Sequence, residues 1–291
     1  MQRSFDNTGS PTNLQENHSD SLSMCTASCA RSCGCFGYNS KKKRCRLQNT
    51  CNTVNLTAYS EGWRYYNPYY ALPKDCEGIL KATKSQSGIY TIYPFSTDGS
   101  GVDVYCDMKV EGGGWTAIQR RRRGSVNFNT TWDNYKIGFG IPGDTYWIGN
   151  DVIHQLTRDV ISYLYINITL KNGESLYELY HQFSVADEAD KYRLFLKGPA
   201  TGTLGDAMLD TEYDTDNLTG MQFSTFDQHN NPISGYYCAS YGTGGGWWYN
   251  TCSASHLHGS WNVADWRPIW NDKVKNMTVV KETLIMIKKH P

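Results

Sequence analysis

The sequence contains nothing approaching the ~20 consecutive apolar residues that span a bilayer, and it has no net charge, with 28 Lys plus Arg against 28 Asp plus Glu. The first absence argues against a membrane span. The second removes the global field that would steer the chain to nucleic acid or to an anionic membrane. The opening residues, MQRSFDNTGS, lack the apolar core of a secretory leader, and no collagen repeat or heptad is there to build an oligomer. No phosphate loop or zinc motif stands in a fitting context, and neither His154 nor His181 has a nucleophile or second ligand nearby in sequence, so the chain is not expected to be an enzyme. What it has in quantity is cysteine and aromatics. The 21 Tyr and 9 Trp suit surfaces that are part apolar and part wet.

The ten cysteines fall unevenly: Cys25, Cys29, Cys33, Cys35, Cys45 and Cys51 in one cluster, then Cys76, Cys106, Cys238 and Cys252. Six Asn-x-Ser/Thr acceptors accompany them, at Asn17, Asn55, Asn129, Asn167, Asn217 and Asn276. Together they point to an oxidising compartment and a secreted, extracellular protein whose leader has been removed. Cysteine density drops after Cys51, which places a domain boundary near Pro68–Lys74 and predicts two domains, 1–72 and 73–291.

In the first domain, Ser21-Leu22-Ser23 is set to cap a short helix over Leu22–Arg31, with Cys25 and Cys29 on one face. A strand at Phe36–Asn39, a basic turn at Lys41–Arg44, Cys45-Arg46-Leu47 and a closing strand at Gly62–Tyr66 follow. No histidine stands at ligand spacing, so the cysteines read as a disulfide scaffold rather than a metal site. Lys41–Lys43 with Arg44 and Arg46 could meet a heparin-like polyanion, although a charge run is more often a solvated turn. This order resembles the PAN/apple module. The resemblance implies Cys25–Cys45 and Cys29–Cys35 pairs, with Cys33 and Cys51 left for each other and Cys33 able to compete with Cys35. It also implies protein or carbohydrate contacts that serve assembly, hence a homo-oligomer.

From Asp75 the text changes. Cys76 opens it, with Cys106 as its expected partner. Ser87–Pro94 and Val102–Met108 read as strands, followed by Gly112-Gly113-Gly114-Trp115-Thr116, Tyr146-Trp147-Ile148-Gly149-Asn150-Asp151, Met221-Gln222-Phe223-Ser224-Thr225 and Trp247-Trp248-Tyr249. These phrases, in this order, resemble the fibrinogen C-terminal-like domain, whose members include ficolins, tachylectins and angiopoietin-like factors. The resemblance implies an α+β fold: a twisted, mainly antiparallel sheet, short helices and a loop-built ligand face. Trp115, Trp132 and Trp147 read as core, Arg120–Arg123 as structural, and Asp187, Glu188 and Asp190 as a solvated acidic turn.

The stretch Tyr236–Trp261 is the expected ligand face. Cys238 and Cys252 enclose thirteen residues with Tyr241, Trp247, Trp248 and Tyr249 among glycines. A disulfide closing such a loop is worth ~3 kcal/mol, and the glycines exclude a helix. In acetyl-recognising relatives the resemblance implies a cis bond, here Thr251–Cys252, with the amides of Cys252 and Ser253 on the acetyl oxygen. Tyr241, Trp248, Tyr249, His256, Trp261 and Trp266 would form the surroundings. The family's calcium loop falls on Asp227, His229 and Asn231 with the carbonyls of Ile233 and Gly235. Counting back from Cys238 moves the carboxylate positions to Asn230 and Pro232. Either way the two ligating carboxylates are missing, so calcium is expected to be weak or absent, with the turn held by Asn side chains and Pro232. The leading expectation is a non-catalytic, lectin-like pattern-recognition protein of innate defence that binds acetylated or sialylated glycans. The alternative is a protein–protein module that grips a receptor or peptide with the same face.

Overall fold

A computed structural model describes residues 15–20, 25, 35–48, 63–66, 73–83, 86–95, 101–122, 126–209, 217–241, 244–259, 269–270 and 280–290. The chain forms two compact units, Met1–Gln86 with Thr91–Asp103, and Ser87–Tyr90 with Val104–Pro291.

The first unit contains a four-stranded antiparallel sheet of β1 (Gln15–His18), β2 (Cys35–Asn39), β3 (Arg44–Gln48) and β4 (Trp63–Tyr66), in the order β1-β3-β2-β4. The strands expected at Phe36–Asn39 and Gly62–Tyr66 are thus β2 and β4. Cys25 and Cys45 form a buried disulfide with Cα atoms 5.5 Å apart. Of the helix expected over 22–31 only Cys25 is described, and it is helical. Cys29, Cys33, Cys51, the Cys35 side chain and Asn55 lie outside the described residues, whereas Asn17 is exposed on β1. A helix, α1 (Cys76–Thr83), starts where Asp75 Oδ1 accepts the amide of Gly78 at 2.8 Å.

The larger sheet has nine strands, and its main path runs β12-β11-β10-β15-β7-β6-β5. Its strands are β5 (Gly88–Ile92), β6 (Val102–Asp107), β7 (Trp115–Arg121), β8 (Phe139–Gly140), β9 (Tyr146–Trp147), β10 (Ser162–Leu170), β11 (Ser175–Val185), β12 (Leu194–Gly202) and β15 (Val280–Lys289), with β9 joining β7 to β8. A separate pair, β13 (Ser255–His256) and β14 (Ile269–Trp270), lies off that sheet. β15, near the end of the chain, sits at the centre. It pairs with β10 from Ser162↔Lys289 to Leu170↔Val280 and with β7 from Thr283↔Arg121 to Ile287↔Thr116. Its continuous apolar LIMI segment buries the consecutive residues Ile285, Met286 and Ile287, as a central strand covered on both faces does. The helices are short: α2 (Trp132–Ile137), α3 (Asn150–Thr157) and α4 (Cys238–Tyr241). Thr131 caps α2 through the amide of Asn134. α3 packs on β11, where His154 Nδ1 lies 2.9 Å from the Val185 carbonyl. The fold is therefore the expected mixture of a mainly antiparallel sheet, a few short helices and disulfides. Cys76 and Cys106 are both buried and disulfide-bonded.

Trp115, Trp132 and Trp147 are core residues, 2%, 6% and 1% exposed. The acidic turn differs from expectation, because its acids hold structure instead of merely facing water. Glu188 accepts Trp132 Nε1–H at 3.0 Å and pairs with Lys136, which pulls its carboxyl below the usual range. Asp190 receives two guanidinium N–H bonds from Arg193. Asp187 caps the following turn by accepting the amide of Asp190.

Candidate functional site

The Cys238–Cys252 disulfide joins two loop segments, with Cα atoms 5.4 Å apart. Contrary to the exclusion drawn from its glycines, the segment begins with one helical turn, α4, made of the glycine-free residues Cys-Ala-Ser-Tyr. The larger correction concerns the aromatics. Trp247, Trp248 and Tyr249 are buried at 1%, 3% and 0% exposure, so they support the loop from below instead of lining a solvent-facing wall. Each polar handle but one finds a carbonyl: Trp248 Nε1–H donates to Tyr192 O at 2.7 Å and Tyr249 OH to Gly245 O at 2.6 Å, while Trp247 Nε1 has no acceptor. Trp247 is instead held by its backbone, which bridges to Ser224 in both directions at 2.9 and 3.1 Å. The composition that suggested a pocket comes from core packing, and the sequence alone does not distinguish the two.

His256 is likewise interior, 2% exposed, and His258 is wholly buried. His258 lies at the centre of a ring cluster, 4.9 Å from the centroids of Phe128, Trp147 and Trp247 and 5.6 Å from Tyr135. Its Nδ1 lies 2.7 Å from the Gly246 carbonyl and is therefore the protonated nitrogen of a neutral ring. Tyr135 OH donates to Phe128 O at 2.7 Å and accepts the Gly246 amide at 3.0 Å. Buried Arg121 stacks on Phe128 and donates through Nη1 to the carbonyls of Leu257 at 2.6 Å and Gly259 at 2.9 Å. Burial pushes its guanidinium down to about 9, leaving it charged at neutral pH. Burial first, then that charge, hold His256 down to about 3 and His258 well below its usual value. Tyr135 and Arg121 were not foreseen as loop supports. They are more than a hundred residues from the segments they bind, and no local sequence signal marks them.

The turn over 227–235, where the family's calcium loop is expected to fall, is held by hydrogen bonds of its own. Asp227 Oδ1 accepts the hydroxyl of Thr225 at 2.7 Å and the amide of Trp132 at 3.0 Å, so this carboxylate fastens the loop to the first turn of α2. Asn230 donates to Phe223 O at 2.6 Å and Asn231 to Tyr236 O at 2.8 Å. The His229 ring stacks on Tyr237 at 4.1 Å. Among the described residues no group of three His, Cys, Asp or Glu side chains converges on one point. Asp227→Ala is expected to cost ~1–2 kcal/mol, the worth of a lost helix-start acceptor, and to cost the same with and without millimolar calcium in thermal unfolding. Calcium raising the midpoint of the parent but not of the variant would make Asp227 a metal ligand instead.

What does reach the surface is a rim. Thr251 is exposed and Cys252, Ser253 and Ala254 are half-buried. Ser253 turns its hydroxyl inward to the Ser255 carbonyl and accepts the Ser255 amide at 3.1 Å. The cis bond among the described residues is Gly198–Pro199, so Thr251–Cys252 is trans, against the acetyl-site expectation. The Tyr241 side chain, Trp261 and Trp266 lie outside the described residues. Across the disulfide, Phe226, Tyr236 and Tyr237 are 39%, 43% and 40% exposed, with His229 exposed beside them. Of the sequons in this unit, Asn129 is exposed, Asn167 and Asn217 are half-buried, and Asn276 lies outside the described residues.

Comparison with known proteins agrees with this architecture. Residues 72–288 match the model of the fibrinogen beta and gamma chains' C-terminal globular domain. Human angiopoietin-2 is 40% identical over 187 residues, which is 64% of this chain and 36% of that protein. The matched part thus spans about a third of that relative's length. The fibrinogen-like globe domain of human ANGPTL6 superposes with a TM-score of 0.66 at 33% identity, covering 76% of this chain and 97% of that one. The lamprey fibrin D-dimer, solved with the peptide Gly-His-Arg-Pro-amide, gives 0.66 at 31% identity, covering 74% and 73%. With three quarters of its length matched to that domain in sequence and in fold, the chain belongs to the fibrinogen C-terminal domain family.

Proposed function

We propose that the chain is a non-catalytic recognition protein whose fibrinogen-like unit grips a protein surface or peptide through the face around Cys238–Cys252. The observation that carries this reading is the cluster of exposed rings, Phe226, His229, Tyr236 and Tyr237, on a turn tied by the disulfide to the polar rim Thr251–Ala254. Rigid aromatic anchors beside a polar rim are what protein interfaces use. The lamprey D-dimer's peptide ligand and the similarity to an angiopoietin support the same class of partner. Among the described residues of the acetylated- or sialylated-glycan reading, Thr251, Cys252 and Ser253 reach the surface, whereas Trp248, Tyr249 and His256 are interior. The Cys25–Cys45 tie beside a small antiparallel sheet supports an apple-like N-terminal domain, 1–72, ahead of a recognition domain, 73–291, in a secreted protein; a homo-oligomer is proposed with it.

The test is a screen of multimerised protein against a library of receptor ectodomains, run beside a glycan array. The expected result is an ectodomain partner that the Tyr236→Ser, Tyr237→Ser double variant loses at least about tenfold and that free N-acetylhexosamine does not displace. Array binding displaced by the free sugar, and indifferent to that double variant, would replace this reading with the glycan one.

A further inference from the structure

The sequence contains two runs of cations, Lys41–Arg44 with Arg46, and Arg120–Arg123. They differ in exposure. Arg120 and Arg122 share Glu282 at 2.7 and 3.4 Å, and Arg121 is buried against carbonyls. Those charges hold their own strand in place. Lys41, Lys42, Lys43 and Arg44 are instead all exposed on the turn that joins β2 to β3, with Arg46 half-buried just beyond.

That turn is a fixed platform. The wholly buried Asn39 side chain accepts the amides of Lys41 at 3.1 Å and Lys42 at 2.9 Å. Lys43 closes the turn at φ 48°, and its carbonyl accepts the Ser19 amide at 3.0 Å. Asn39 pairs with Arg44 across the ladder, and the next residue, Cys45, is anchored by its disulfide to Cys25. Asp20 lies 3.8 Å from Lys43 Nζ, but the two side chains are 63% and 57% exposed, and exposed pairs of this kind contribute little. In a chain with zero net charge, four adjacent exposed cations on a backbone pinned at both ends concentrate positive charge at this turn, beside Asp20.

We propose that this hairpin tip binds a sulfated polysaccharide, a linear chain of closely spaced sulfates of the glycosaminoglycan type. Two features select sulfates over nucleic acid. The segment Ser40–Arg46 contains no aromatic ring, whereas single-stranded nucleic acid is held by stacking bases on such rings. The disulfides place the protein in an oxidising compartment, where sulfated glycans are the abundant polyanions. The site is in a different unit from the face proposed above and does not depend on that reading.

The test measures binding of the full chain to immobilised heparin at physiological salt. Lys41→Ser, Lys42→Ser, Lys43→Ser together are expected to weaken binding about tenfold or more, and Arg122→Ser to leave it unchanged. Chemically desulfated heparin should bind at least about tenfold more weakly, and raising the salt should release the protein. Should the triple variant fail to fold, Lys41→Gln with Lys42→Gln leaves the left-handed Lys43 in place and is expected to lose several-fold. The inference is overturned if the folded variants bind heparin as tightly as the parent, if desulfation makes no difference, or if RNA of matched length competes better than heparin.

Discussion

Between pH 7 and pH 5 the fibrinogen-like unit is expected to lose about 4 kcal/mol of stability, because two histidines are buried neutral beneath the loop face. His256 is held down to about 3 and His258 well below its ordinary value, by burial first and by the Arg121 guanidinium second. In the unfolded chain each returns to the usual value of about 6.5. The folded-state values are depressed, so the unfolded state binds more protons throughout the window below 6.5. Stability is therefore fully present above that value and falls as the pH drops towards 3. Each histidine contributes ~2 kcal/mol by pH 5, and the limiting slope is ~2.7 kcal/mol per pH unit for the pair. Against the ~5–15 kcal/mol that holds a domain together, a loss of that size is large. Urea unfolding at pH 7, 6 and 5, above the range where most carboxylates titrate, measures it directly. His256→Gln should reduce the loss to about half. A free energy flat across that window would mean that one or both imidazoles can reach a proton in the folded state, and the packing described around His258 would be wrong.

How much of this was legible in the sequence differs by element. Two strands of the larger sheet follow from alternation that can be read directly: Ser87–Pro94 contains β5 and Val102–Met108 becomes β6, and Trp115 and Trp147 are interior as their turn-bounded settings suggest. The expectation that Asn side chains hold the turn before Cys238 was equally readable, and Asn230 and Asn231 make those bonds. The inversion of the glycine-rich loop was not legible. Glycines and aromatics in alternation fit an exposed pocket and a close-packed core equally well. The choice between them was made by Tyr135, Phe223 and His258, of which Tyr135 is 111 residues away from Gly246. The two basic runs were also alike on paper. The position of Glu282, brought alongside Arg120 by the β7–β15 ladder, and the burial of Arg121 separate them.

Gly246→Ala is expected to cost ~3 kcal/mol and to abolish recognition by the loop face, although it adds a single methyl group. Gly246 has no positive φ, so its glycine is explained by close approach and not by backbone freedom. A Cβ there would stand 2.6 Å from Tyr135 Cε2 and 2.8 Å from Phe223 Cε1. Neither ring can yield cheaply. Tyr135 is pinned by its hydroxyl to Phe128 O, and Phe223 packs edge-on to Trp248 at 5.1 Å. The backbone cannot retreat either, since the Gly246 amide donates to Tyr135 OH and its carbonyl is 2.7 Å from His258 Nδ1. The strain must then pass to Trp247–Asn250 and on to the rim at Thr251–Ala254, where binding is proposed. Gly143 is the control: a Cβ there meets nothing within 4 Å and the backbone is not left-handed, so Gly143→Ala should stay within about 0.5 kcal/mol of the parent. Urea midpoints for the two variants, with partner binding measured at a temperature where both remain folded, separate lost stability from a displaced rim. Equal midpoints for Gly246→Ala and Gly143→Ala would show that the ring cluster is loose enough to absorb a methyl group, and that the buried aromatics do not hold the loop in register.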